Sequence, residues 1–194
     1  MIDLTNLVPR IRPIGWNIYD KIICIHYLPY RERLTNIQSE LKRVGILDLP
    51  QFEFYETIDN ELYNDILNGI PGYKIGKIRS YSPLVHKLNI NYTIDSYSLL
   101  KKLNFYGYER VLILEDDIVF HKDLDYVNKV IESTPDDFDV MNYDPEIFAI
   151  SNETTGFYST VNKYILKYDN CKVINMSCCA LSKNAIQKII SKQL

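Results

Sequence analysis

A chain of 194 residues can bury one sizeable core, and nothing in its composition forces a second domain, so the whole of 1–194 is read as one domain. A net charge of −3 argues against nucleic acid as a partner, because affinity for that backbone comes from clustered Lys and Arg. The 16 Tyr would suit stacking on sugars or bases, but an AT-rich genome produces the same excess of Tyr, Asn, Ile and Lys and is the simpler explanation.

Residues 1–20 carry Pro9 and Pro13 without a helix or strand period and are expected to form an irregular lead-in anchored by Trp16. Lys21 to Tyr27 reads as a buried strand, closed by Leu28-Pro29 because proline cannot donate to a ladder. A helix over 31–44 comes next, with Leu34, Ile37, Leu41 and Val44 on one stripe and Gly45 as its cap. Phe52 to Ile58 is a second strand, giving a βαβ start. Residues 59–94 are expected to be a loop-rich insertion, after which Asp95 or Ser96 caps a helix carrying Leu99, Leu100 and Leu103 and ending near Gly107.

Val111 to Leu114 then runs straight into Glu115-Asp116-Asp117, and Ile118-Val119-Phe120 resumes the apolar run. Asp123 or Asp125 introduces a helix with Leu124, Val127, Val130 and Ile131 inward, stopped by Pro135. Phe138 to Tyr143 and Cys171 to Ile174 read as short strands, and Ser182 caps a last helix with Ala185, Ile186, Ile189 and Ile190 on one face. Cys24, Cys171, Cys178 and Cys179 lack Cys-x-x-Cys spacing, so reduced thiols in a cytoplasmic protein are expected rather than zinc or disulfides. The amino terminus has no basic start followed by an apolar stretch, and no segment approaches the ~20 apolar residues of a spanning helix; peripheral membrane contact stays open. The fold expected is a mixed α/β sheet flanked by helices.

The acids are where the chemistry points. A continuous aliphatic run is a strand covered on both faces, and its carboxyl end is where open α/β sheets place ligands. A solvated turn would explain an acidic triplet, but acids pinned between two apolar runs favour a cation that offsets their burial. A Walker-B strand is excluded, since Gly76-Lys77 lacks the earlier glycine and the following Ser or Thr. A receiver domain would need acids after the first strand, where His26-Tyr27-Leu28-Pro29 stands. What remains is a nucleotide-sugar glycosyltransferase, in which an acid-x-acid motif holds a divalent cation on the donor's diphosphate. Period two would turn Glu115 and Asp117 the same way and Asp116 elsewhere. Asp117 is therefore assigned to direct metal contact, Glu115 to metal or to ribose through water, and Asp116 to support on the nucleotide side.

Several segments carry a resemblance: "IICIHYLPYRER" over Ile22 to Arg33, "ELKRVGI", "ERVLILEDDIVFHKDL", "DFDVMNY" and "ALSKNAIQKII". In order and spacing these are similar to glycosyltransferase family 25, the lipopolysaccharide and collagen-type galactosyltransferases, over about half of the chain. The resemblance implies a GT-A-like fold, a UDP-sugar donor, commonly UDP-galactose, Mn²⁺ or a similar ion such as Mg²⁺, and a glycan, glycolipid or similar acceptor. The family's arginine after the first strand matches either Arg31 or Arg33, whose guanidinium would meet donor phosphate. Where the family's helix opens with Ser-His, this chain has Asp95-Ser96-Tyr97-Ser98. The family chains also continue past the last helix seen here, so a non-catalytic binding module that kept the fold without the acceptor half is the alternative.

Other candidates are weighed against blander readings. His26 and His86 could ligate metal or donor, though a lone His is more often structural, and His121 is expected at the surface. Asp139 and Asp144 are acceptor-side candidates for the catalytic group, against a solvated loop. No general base is assigned. Cys178-Cys179 reads as small apolar packing.

Overall fold

The computed structural model describes residues 15–57, 83–143, 158–160, 163, 166–168 and 177–192. Strand β1 (Lys21–Tyr27), helix α1 (Arg31–Arg43) and strand β2 (Phe52–Thr57) form the expected βαβ unit. Gly45 ends the α1 region at φ 77°, a left-handed conformation that only glycine adopts without strain. Helix α2 (Pro83–Tyr106) leads into β3 (Arg110–Glu115), and α3 (Leu124–Glu132) into β4 (Val140–Asn142). After the small hairpin of β5 (Tyr158–Thr160) and β6 (Leu166–Tyr168) come β7 (Cys178–Ser182) and α4 (Lys183–Lys192).

The five-stranded sheet has the order β2-β1-β3-β7-β4. Strands β2, β1 and β3 are parallel, while β7 lies antiparallel between β3 and β4. Alternation divides the core into two layers. Ile22, Cys24, Leu112, Leu114, Cys178 and Ala180 pack with Ile37 and Leu41 of α1 and Val127 and Ile131 of α3. Ile23, Val111, Ile113, Cys179 and Leu181 pack on the other face with Leu99 and Leu103 of α2 and Ala185 and Ile186 of α4. The architecture is thus a mixed α/β sheet with parallel core strands and helices on both faces.

Several expectations change. Helix α2 begins at Pro83, so Asp95 and Ser96 lie inside it rather than at its cap. Ile118-Val119-Phe120 does not continue as a strand: β3 ends at Glu115 and Val119 is 84% exposed, while Ile118 and Phe120 turn back onto the core. Strand β7 was not anticipated, because Cys178-Cys179-Ala180-Leu181 has no alternation to read. The proposed strand at Cys171 to Ile174 lies outside the described residues, as does the lead-in before Gly15. Trp16 does act as an anchor for the start of the domain: it is 1% exposed and its Nε1–H donates to the carbonyl of Val44 at 2.8 Å. Asp123 caps α3, accepting from the backbone N–H of Asp125 and Tyr126, and Ser182 Oγ accepts from Ala185 N–H at the start of α4.

Candidate functional site at the end of β1 and β3

The chain leaves β1 in one direction to form β2 and returns on the other side to form β3. The gap between the carboxyl ends of β1 and β3 is therefore the switch point at which open α/β sheets bind ligands. In register Ile25 stands beside Glu115, which brings the residue after each of them level. His26 from β1 and Asp116 from beyond β3 meet there, with His26 Nδ1 2.7 Å from Asp116 Oδ2.

Asp116 is the hub. It is 6% exposed, and besides His26 it accepts from the backbone N–H of Tyr27 at 3.2 Å and from Arg33 Nη1 at 3.1 Å. Because an ionised carboxylate only accepts, the His26 hydrogen on this bond belongs to Nδ1. His26 Nε2 is then left buried without a hydrogen-bond partner among the described residues, its ring standing edge-on to Phe54. Sequence reasoning gave His26 only a minority role, since the register that levels two residues 90 positions apart has no local signature.

Arg33 joins the neighbouring acid as well, its Nη1 lying 3.1 Å from Asp117 Oδ2. Its guanidinium is 4.8 Å from the ring centroid of Tyr30, which in turn stands edge-on to Tyr27. Burial works against the charge on Arg33, but the hydrogen bond to Asp116 and the charges of Asp117 and Asp116 outweigh it and raise the pKa further. Of the two arginines left open by the sequence, Arg33 is the one at the acids. Arg31 is exposed in the first turn of α1 and makes no ion pair among the described residues.

Glu115 keeps the alternation of β3 and faces the opposite layer, where the hydroxyl of Tyr92 from α2 donates to its Oε1 at 3.0 Å. Burial raises the Glu115 pKa; the Tyr92 bond opposes this, and the charges of Asp117 and Asp116 add to it. Partial burial, with Glu115 beside it, pushes the Tyr92 hydroxyl up, so it remains a donor. The prediction that Glu115 and Asp117 share an orientation by strand period fails in its reasoning, because the strand stops at Glu115 and Asp117 lies in a turn. Asp117 is half-exposed, and it pairs with the same arginine as Asp116.

Helix α1 also fixes the far side of the acidic turn. Glu40 accepts from the backbone N–H of Phe120 at 2.7 Å, and Arg43 donates to the carbonyls of Phe120 and His121. His121 is exposed, accepts from the Asp123 N–H and packs on Tyr126, as a surface residue would.

Asp139 is not brought to the site. It precedes β4, whose amino end lies at the other edge of the sheet, and it bonds Lys188 at 2.8 Å, Asn184 at 3.0 Å and Ser182 at 3.3 Å. Ser182 pairs with Arg110 at the start of β3, so the length of that strand, roughly 17 Å at about 3.4 Å per residue, separates Asp139 from the acids. Asp144 and the side chain of His86 lie outside the described residues. Cys24, Cys178 and Cys179 are buried and not joined in a disulfide, and burial pushes Cys179 up to about 12, which fits packing rather than reactivity.

Among the described residues no three His, Cys, Asp or Glu side chains gather as a metal-ligating group. The donor set on offer is two carboxylates, Glu115 and Asp117, since both oxygens of Asp116 are engaged. That pair fits a hard cation which keeps waters and takes phosphate oxygens for its remaining positions, and does not fit an all-protein cage. Compared with known proteins, the chain matches no family model, and no curated protein matches it. No helix among the described residues is long and apolar enough to cross a membrane.

Proposed function

We propose that the chain is a metal-dependent glycosyltransferase of GT-A-like fold, taking its sugar from a UDP-sugar donor. The carrying observation is the meeting of Arg33 with Asp116 and Asp117 at the β1/β3 switch point, with Asp117 half-exposed and Glu115 the last residue of β3 beside them. The resemblance of the segments around these residues to glycosyltransferase family 25 supports the same reading. It points to galactose as the sugar and to a glycan or glycolipid acceptor, with the enzyme in the cytoplasm or at the membrane periphery.

In this reading Glu115 and Asp117 hold Mn²⁺ or Mg²⁺, which when bound supplies charge neutralisation of the diphosphate leaving group. The chain's own residues orient the reactants. Arg33 presents a planar fork to phosphate oxygens, and Asp116 fixes the side of the guanidinium that faces the protein. Tyr92 holds Glu115 by its hydroxyl and so limits the rotamers open to that carboxylate.

Calorimetric titration with UDP-galactose in the presence of Mn²⁺ tests the proposal. Even neighbours that only orient metal ligands are worth roughly 10–100-fold in metal affinity, so Asp117→Asn should weaken binding by at least about tenfold. Equal affinity in the wild type and this variant would remove the metal site from the proposal.

A further inference from the structure

Arg33 stands between the two charges it would serve. Its Nη1 lies 3.1 Å from Asp116 Oδ1 and 3.1 Å from Asp117 Oδ2, while Nε and Nη2 make no hydrogen bond among the described residues. One edge of the fork is thus bound to acids, and the other is open among the described residues, on a side chain that is 41% exposed. The buried edge is not free to drift. Asp116 is itself fixed by His26 and the Tyr27 N–H, and the Tyr30 ring lies 4.8 Å from the guanidinium carbon.

This arrangement puts a permanent positive charge on the carboxylate assigned to the metal. We propose that Arg33 is the resident counter-cation of Asp117 and selects against a bare divalent ion, so that metal binds well only together with a diphosphate that reaches the open edge of Arg33. The inference rests on the metal site proposed at Glu115 and Asp117. Without phosphate, an arriving cation meets a guanidinium already paired with its ligand oxygen, and the two like charges repel. With phosphate oxygens on Nε and Nη2, the charge of Arg33 is offset and the repulsion falls. Metal and diphosphate then favour one another, and by linkage each raises the other's affinity by the same factor. Asp116 and Tyr30 are positioning residues in this scheme: neither touches a ligand, and both act through Arg33.

The test measures free Mn²⁺ affinity by electron paramagnetic resonance in the wild type, Arg33→Gln and Arg33→Lys, first without nucleotide and then with UDP. Gln keeps a polar donor but carries no charge, whereas Lys keeps the charge and loses the fork. Without nucleotide, Arg33→Gln should bind Mn²⁺ about fivefold more tightly, the scale of one exposed ion pair, while Arg33→Lys stays near the wild type. With UDP, the gain in Mn²⁺ affinity should be smaller in Arg33→Gln than in the wild type. An arginine that only binds phosphate, or only packs, would not tighten bare-metal binding when removed.

Unchanged or weaker bare-metal binding in Arg33→Gln overturns the inference, and so does an equal rise in Arg33→Lys. If Mn²⁺ with UDP still binds and Asp117→Asn abolishes it, the metal site survives that failure. If Mn²⁺ binds to none of these proteins with or without UDP, site and inference fall together.

Discussion

The two edges of the sheet treat their acids differently. At the edge formed by the start of β3 and the end of β7, three acids each have their own base: Asp139 with Lys188, Glu109 with Lys183, and Asp136 with Arg110. At the other edge Asp116 and Asp117 share one arginine among the described residues, and Glu115 is held by a neutral hydroxyl. The first edge is closed in charge and exposed, where such pairs contribute little. The second is partly buried and short of positive charge, a state that stability alone does not favour. Under the metal site proposed above, a bound cation would offset that deficit.

The largest effect expected from this contrast is at Asp116. Asp116→Ala leaves His26 Nδ1 and the Tyr27 N–H buried without their acceptor, at a cost of about 3 kcal/mol in urea unfolding. A loss no larger than that of a surface substitution would show that the hub is an ordinary turn acid. A smaller effect separates Glu40 from Glu115 in their response to pH. Glu40 is held below the ordinary carboxylate range, chiefly by the Arg43 hydrogen bond, against burial, with the Phe120 N–H adding to the lowering. Its stabilisation is complete above its unfolded pKa and is lost as pH falls through the lower folded value. Glu115 is shifted upward, so its cost is absent below the unfolded pKa and grows as pH rises to the higher folded value.

Unfolding midpoints measured from neutral to acid pH should accordingly lose part of their acid limb in Glu40→Gln, with about 1 kcal/mol lost at neutral pH. Glu115→Gln, which keeps an acceptor for Tyr92, should instead gain stability at neutral pH and nothing in acid. If both variants shift the same limb in the same direction, the assignment of opposite shifts is wrong. The smallest effect is expected at the closed edge, where Asp139→Ala should change stability by no more than about 1 kcal/mol and leave UDP-galactose binding untouched.

How much the sequence reveals depends on the range of the interactions. Strand β1, helix α1 with Gly45, the acid-terminated β3 and the caps Asp123 and Ser182 are all local patterns, and all are found where those patterns place them. The acids were visible for the same reason. Their partners were not, because His26 and Arg33 reach Asp116 only through the pairing of β1 with β3 and the seating of α1. Alternation correctly separates Glu115 from Asp116 but gives no sign that the chain turns at Asp117. Asp139 looked suitable because it adjoins a strand, and only the direction of β4 within the sheet shows that it sits at the wrong end.

Helix α1 touches the acidic turn twice, at Asp116 and Asp117 through Arg33 near its start and at Phe120 and His121 through Glu40 and Arg43 near its end. Ten residues of helix separate Arg33 from Arg43, a rigid span of about 15 Å. The turn therefore takes its dimensions from the helix as a casting takes them from a mould, and only Val119 projects freely between the two fixed points. The anchors of that mould are Ile37 and Leu41, 1% and 0% exposed beneath the helix. A cavity made at either one would loosen the seat of α1, so that a purely apolar substitution in the core would be felt at a distance, in how Arg33 meets Asp116 and Asp117.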